Sequence, residues 1–204
     1  VYPTEVRLTP FNHYDGRTSP IIGIIVHATR SGIPGFKKDY EATINTFWSQ
    51  AAQVSAHQVV REDGQRCIVV ADEDTAWHAG GLNPSTLGVE VCQPTMDTPF
   101  TDAQVRSTAE LCDLWCTVHN IPRTRDFIKG HEETSQGIAA GKTDPGPAWP
   151  WDEFMSLLEG DMTDEEARKQ IAIINLAERW ASMIRLGNLQ QVLNEAKAFG
   201  VVAQ

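Results

Sequence analysis

The chain has 204 residues, 41% of them hydrophobic and 22% charged, an ordinary globular make-up with room for one substantial domain and an appendage. A formal net charge of −10 argues against a nucleic-acid or anionic-membrane partner reached by bulk electrostatics. No stretch approaches the roughly 20 apolar residues that a membrane span requires, and Val1–Pro10 lacks the basic and apolar regions of a secretory leader.

In chain order, Ile21 to Val26 (IIGIIV) reads as a strand buried on both faces, ending at His27. Ser31 to Gly35 is a loop. Asp39 to Gln50 follows as a helix, with Tyr40, Ile44, Phe47 and Trp48 at helical spacing. Ala56–Arg61 and Arg66–Ala71 form a hairpin around Asp63-Gly64, residue types that tolerate positive φ. Leu87 to Cys92 (LGVEVC) is a further strand. Thr101 to His119 is the clearest helix, opened by a Thr101/Gln104 capping box and closed near Asn120. Phe127-Ile128 is a short strand that delivers His131 onto a loop. Ser135–Pro150, rich in Gly and Pro, reads as irregular, and Trp151–Leu158 as a short helix. Beyond Gly160 the composition shifts: Glu165–Ile184 and Leu189–Phe199 read as two helices broken at Gly187-Asn188.

The fold class expected is therefore α/β, a central mixed β-sheet flanked by helices, with a C-terminal helical hairpin. Residues 1–160 form the main domain and 161–204 the appendage. The four cysteines form no Cys-x-x-Cys pair. Cys112 and Cys116 share an apolar helical stripe with Val105, Ala109 and Trp115. Cys67 and Cys92 read as buried thiols, with a bridge between their strands left open.

Six histidines are present. His27 at a strand end, His131 after a short strand and Asp144 in the loop KTDPG would make two imidazoles and one carboxylate. Such a set fills three tetrahedral positions of a catalytic zinc and leaves the fourth open. Zinc held this way lowers the pKa of its water to about 7 and polarises a carbonyl. Spacing alone leaves Asp144 equally readable as a turn residue before Pro145. Glu90 sits inside an apolar strand, where a carboxylate is costly unless paired or functional.

VHATR at 26–30, SAH at 55–57, AWHAG at 76–80, GVEV at 88–91, GHEE at 130–133 and KTDPG at 142–146 occur in one order. Together they resemble the zinc N-acetylmuramoyl-L-alanine amidases, a group that includes phage lysozyme-like amidases and peptidoglycan recognition proteins. The likeness spans about Ile21 to Phe154 and implies a central mixed sheet flanked by helices. It implies one zinc ion on His27, His131 and Asp144, with Glu90 as general base. Lys142 would stabilise the charge of the tetrahedral intermediate. His57, Trp77 and His78 match positions that line the substrate groove. Certain phage relatives place a tyrosine where this chain has Ala56, so the base role falls to Glu90. His13 and His119 match nothing in the family and read as surface or packing residues.

The activity implied is hydrolysis of the amide between N-acetylmuramic acid and L-alanine in peptidoglycan. The alternatives are a binding module without catalysis and a zinc peptidase acting within the stem peptide. The partner expected is peptidoglycan or a muropeptide, with no nucleic acid and with the oligomeric state open. Synthesis in the cytoplasm is expected, followed by work on the wall as an endolysin, towards which the extra helices tilt, or by cytoplasmic muropeptide recycling.

Overall fold

The computed structural model describes residues 2–158, 173, 177, 180, 181, 183, 184 and 187–198. Among them, β1 (Thr4–Val6), β3 (Gly23–Ala28), β4 (Gln58–Val60), β5 (Arg66–Ile68), β7 (Thr86–Val91) and β8 (Ile128–Gly130) build one sheet in the order β1-β5-β4-β7-β3-β8. The β4–β5 hairpin is antiparallel and the remaining neighbours are parallel, so the sheet is mixed. A separate antiparallel ribbon joins β2 (His13–Tyr14) to β6 (Thr75–Ala76).

Two-residue alternation sorts the strand side chains into two layers. Ile24 and Val26 of β3 and Leu87, Val89 and Val91 of β7 point to one face. There they pack against α2 (Asp102–His119) and α4 (Trp151–Leu157) through Val105, Ala109, Cys112, Trp115 and Phe154. On the other face Val59, Cys67 and Cys92 meet Tyr40, Ile44 and Phe47 of α1 (Phe36–Phe47). Both faces are covered, which is why β3 and β7 read as nearly unbroken apolar runs. His27 and Glu90 fall on the α1 side by the same alternation.

Thr101 Oγ1 accepts the Gln104 N–H at 3.1 Å and Gln104 Oε1 accepts the Thr101 N–H at 2.9 Å. This capping box starts α2 and contributes about 1 kcal/mol. Asn120, in the left-handed region at φ 55°, ends it.

Several expectations need correction. β3 starts at Gly23 and runs to Ala28, so His27 lies within the strand and Ile22 is left exposed before it. The first helix begins and ends three residues earlier than expected. The stretch read as irregular contains α3 (Ser135–Ala139), because Thr134 Oγ1 accepts the Gly137 N–H and caps it. All four cysteines are free and buried. Strands β5 and β7 flank β4, roughly 9–10 Å apart at normal strand spacing, which is too far for a Cys67–Cys92 bridge. The short strands β1, β2 and β6 were not anticipated.

In the tail, α5 (Leu189–Ala198) is present and Gly187, at φ 76°, precedes it. Most of the other expected tail helix, and the boundary near residue 160, lie outside the described residues. Trp180, Met183 and Val192 pack with Val6 and Leu8 at the β1 edge of the sheet. No described helix is long and apolar enough to cross a membrane.

Candidate metal centre

In a parallel sheet, the loops beyond the carboxyl ends of the strands are where ligands are held. Here β3 lies between β7 and β8, with His27 opposite Glu90 and Val26 opposite Gly130. His131, the next residue after β8, therefore arrives beside His27, and the two rings meet edge to face at 4.5 Å. The row His131–His27–Glu90 is a product of register.

Asp144 comes from the loop after α3. Its Oδ2 lies 3.1 Å from His27 Nδ1 and 3.3 Å from His131 Nδ1. His27 and His131 are 2% and 6% exposed. Bonds of about 2.0–2.1 Å from zinc to nitrogen or oxygen imply a tetrahedral edge of roughly 3.3 Å. The two measured separations match that edge, so the donor set fits a zinc ion. Burial alone would raise the Asp144 carboxyl, but hydrogen bonds from His131 and His27 hold it well below the usual carboxylate range.

Arg30 and Glu132 brace the loop. The Arg30 guanidinium donates to Thr143 Oγ1 at 2.5 Å and to the Thr143 and Pro145 carbonyls at 2.9 Å. The Glu132 N–H donates to the Asp144 carbonyl at 3.1 Å, and Glu132 Oε1 accepts the Gly146 N–H at 3.1 Å. Gly146 has φ 76°, and a Cβ there would stand 2.7 Å from the Thr143 carbonyl and 2.9 Å from Arg30.

A groove of about 540 Å³ opens over these residues. Glu90, Lys142, Trp77 and His78 line it together with Thr43 and Phe47 of α1. Glu90 Oε2 is shut off from water and has no hydrogen-bond partner among the described residues. Burial, with repulsion from Asp144 and Asp39, pushes the Glu90 carboxyl up to about 8, against a smaller opposing pull from Lys142. Trp77 presents an indole stacked obliquely on Tyr14, 5.1 Å between rings.

His57 was expected at the groove wall, but it is 0% exposed and outside the groove lining. Its Nδ1 accepts the Gly88 N–H at 2.9 Å, and its Nε2 lies 2.7 Å from the Arg17 guanidinium and 3.3 Å from the Asp74 carbonyl. His78 borders the groove, yet its Nδ1 faces His27 Nε2 at 3.1 Å. Arg30, the last residue of VHATR, is a brace of the Asp144 loop that the sequence does not reveal. Its contact to Thr143 spans 113 positions, and no signal in one sequence links the two.

Burial holds His27, His57 and His78 neutral at pH values where the free side chain is charged. Below about pH 6.5 the unfolded chain takes up protons that the folded chain refuses, so stability falls with pH. The metal-free protein should lose up to about 1.4 kcal/mol per pH unit for each of these groups on acidification. Thermal melts at pH 7, 6 and 5 check this, and a flat Tm over that range would contradict it.

Residues 17–147 match the family model described as N-acetylmuramoyl-L-alanine amidase. The 1,6-anhydro-N-acetylmuramyl-L-alanine amidase AmpD of Enterobacter cloacae is 31% identical over 176 residues, covering 76% of this chain and 90% of that protein. The crystal structure of a selenomethionine derivative of AmpD superposes with a TM-score of 0.61 at 27% identity, over 75% of this chain and 94% of its own. A mutant endolysin from Bacillus subtilis superposes with a TM-score of 0.60 at 21% identity, over 78% of this chain and 99% of its own, and so shares the fold.

Proposed function

The chain belongs to the N-acetylmuramoyl-L-alanine amidase family, and from this we propose that it cuts the muramyl–L-alanine amide with the help of one zinc ion on His27, His131 and Asp144. The observation that carries the zinc reading is the convergence of both Nδ1 atoms on Asp144 Oδ2 at tetrahedral-edge distances. When bound there, zinc would supply Lewis-acid polarisation of the scissile carbonyl and acidify the attacking water.

The chain's own groups do the remainder. Glu90 takes a proton from the attacking water and returns it to the leaving alanine amine. Lys142, on the groove wall, offsets the negative charge that develops on the carbonyl oxygen. Trp77 and Phe47 of α1 give the groove apolar surface against which the muramyl peptide lies.

The relative at 31% identity acts, by its name, on an anhydro-muramyl substrate. The likeness to the endolysin is one of fold. A small anhydro-muropeptide is therefore the first substrate to offer, with cytoplasmic recycling as the matching place of work. Intact wall and an endolysin role form the second reading.

Both substrates should be incubated with the protein, with and without chelator, and newly freed amino groups and reducing ends labelled. New N-terminal alanine that vanishes with chelator and returns with zinc is the expected result. Cleavage indifferent to the chelator would sink the zinc mechanism. New amino termini other than alanine would point to a peptidase.

A further inference from the structure

A histidine that binds metal through Nδ1 must carry its proton on Nε2, and that proton needs an acceptor if it is buried. His27 Nε2 faces a second imidazole, His78 Nδ1, at 3.1 Å, with the rings edge to face at 87°. To accept, His78 must in turn carry its proton on Nε2. That nitrogen lies 3.4 Å from the Thr86 carbonyl and 3.3 Å from Thr86 Oγ1. Thr86 Oγ1 donates onward to the Leu82 carbonyl at 2.8 Å, which leaves its lone pairs free to accept. With a metal on Nδ1, donors run in one direction from His27 through His78 and Thr86 to Leu82, and each ring has one consistent tautomer; without it, a neutral His27 that donates Nδ1–H to Asp144 leaves Nε2 to accept.

The seat of His78 is built for this contact. Asn83 Oδ1 accepts the His78 N–H at 3.0 Å and fixes the backbone. Gly88 of β7 lies directly beneath the ring, and a Cβ there would come within 2.5 Å of Nδ1. His57 closes the other side edge to face at 5.6 Å.

We propose that His78 is a positioning residue for the metal rather than a substrate contact: it accepts the Nε2–H of His27, fixes its tautomer and turns Nδ1 towards the ion. The proposal rests on the reading of His27, His131 and Asp144 as zinc ligands. Outer partners of this kind commonly govern metal affinity by 10–100-fold. The partner here is a neutral imidazole, so it orients His27 without adding charge beside Asp144 and Glu90.

The test is the zinc dissociation constant of the whole chain, measured by competition with a chromogenic chelator. His78→Ala should weaken zinc binding about 10–100-fold. His78→Asn, whose amide oxygen reaches the place of Nδ1, should recover most of the loss. Thr86→Val keeps His78 and removes one of its two acceptors, so a smaller loss is expected; it also serves if the alanine variant fails to fold. Unchanged zinc affinity in folded His78→Ala, or an asparagine variant as weak as the alanine variant, would overturn the proposal while leaving the metal reading intact. A wild-type chain that takes up no zinc would overturn the metal reading and the proposal with it.

Discussion

His131→Ala should leave a folded protein that holds zinc poorly and cleaves the muramyl–L-alanine bond on the order of 10³-fold or more slowly, since a metal Lewis acid is worth several kcal/mol of barrier. The argument is geometric. His131 supplies one corner of a three-donor set whose remaining separation is the 3.1 Å between His27 and Asp144. Two donors hold an ion at the floor of an open groove far less firmly than three. Asp144→Asn should act similarly on zinc and also cost stability at neutral pH. The folded Asp144 carboxyl is held low by His131 and His27, so it contributes stability above the unfolded value of 3.8 and loses it as pH falls towards the folded value. Zinc content by atomic absorption and turnover of anhydro-muropeptide read both effects. Full turnover by a zinc-free His131→Ala protein would refute the mechanism.

The candidate ligands and the candidate base stand out in the sequence because each breaks a local pattern. His27 and Glu90 are polar side chains in apolar runs, and His131 and Asp144 stand in short motifs with Gly and Pro around them. Their mutual placement was legible only through the family resemblance, since strand register pairs residues 63 positions apart in the case of His27 and Glu90. β1, β2 and β6 escaped notice because two or three residues carry no periodicity, and their partners are distant: Thr4 pairs with Arg66 and His13 with Ala76. Helix α3 was hidden by Gly137 and its neighbours, although its cap, Thr134, is a readable start signal. His57 and His78 illustrate a different limit. Both match motif positions near the groove, but which way an imidazole nitrogen points depends on Gly88, Thr86 and Asp74, which only the fold brings together.

Glu90→Gln should separate catalysis from metal binding. Zinc affinity should stay near wild type, because Glu90 is outside the donor set, whereas turnover should fall about 10²–10⁴-fold with the loss of the general base. The opposite sign is expected for stability. The folded carboxyl is pushed up to about 8 by burial and by Asp144 and Asp39, while the unfolded one ionises near 4.5. Between those values the unfolded chain gives up a proton that the folded chain retains, so Glu90 costs stability as pH rises and costs nothing below about 4.5. Metal-free Glu90→Gln should therefore melt above metal-free wild type at pH 8, with the two curves converging towards pH 4. A bound dication favours the carboxylate and brings the base into its ionised form nearer neutrality, so zinc should shrink the difference. A variant that is both inactive and less stable at pH 8 would mean that Glu90 is there for structure, and the base would have to be sought elsewhere in the groove.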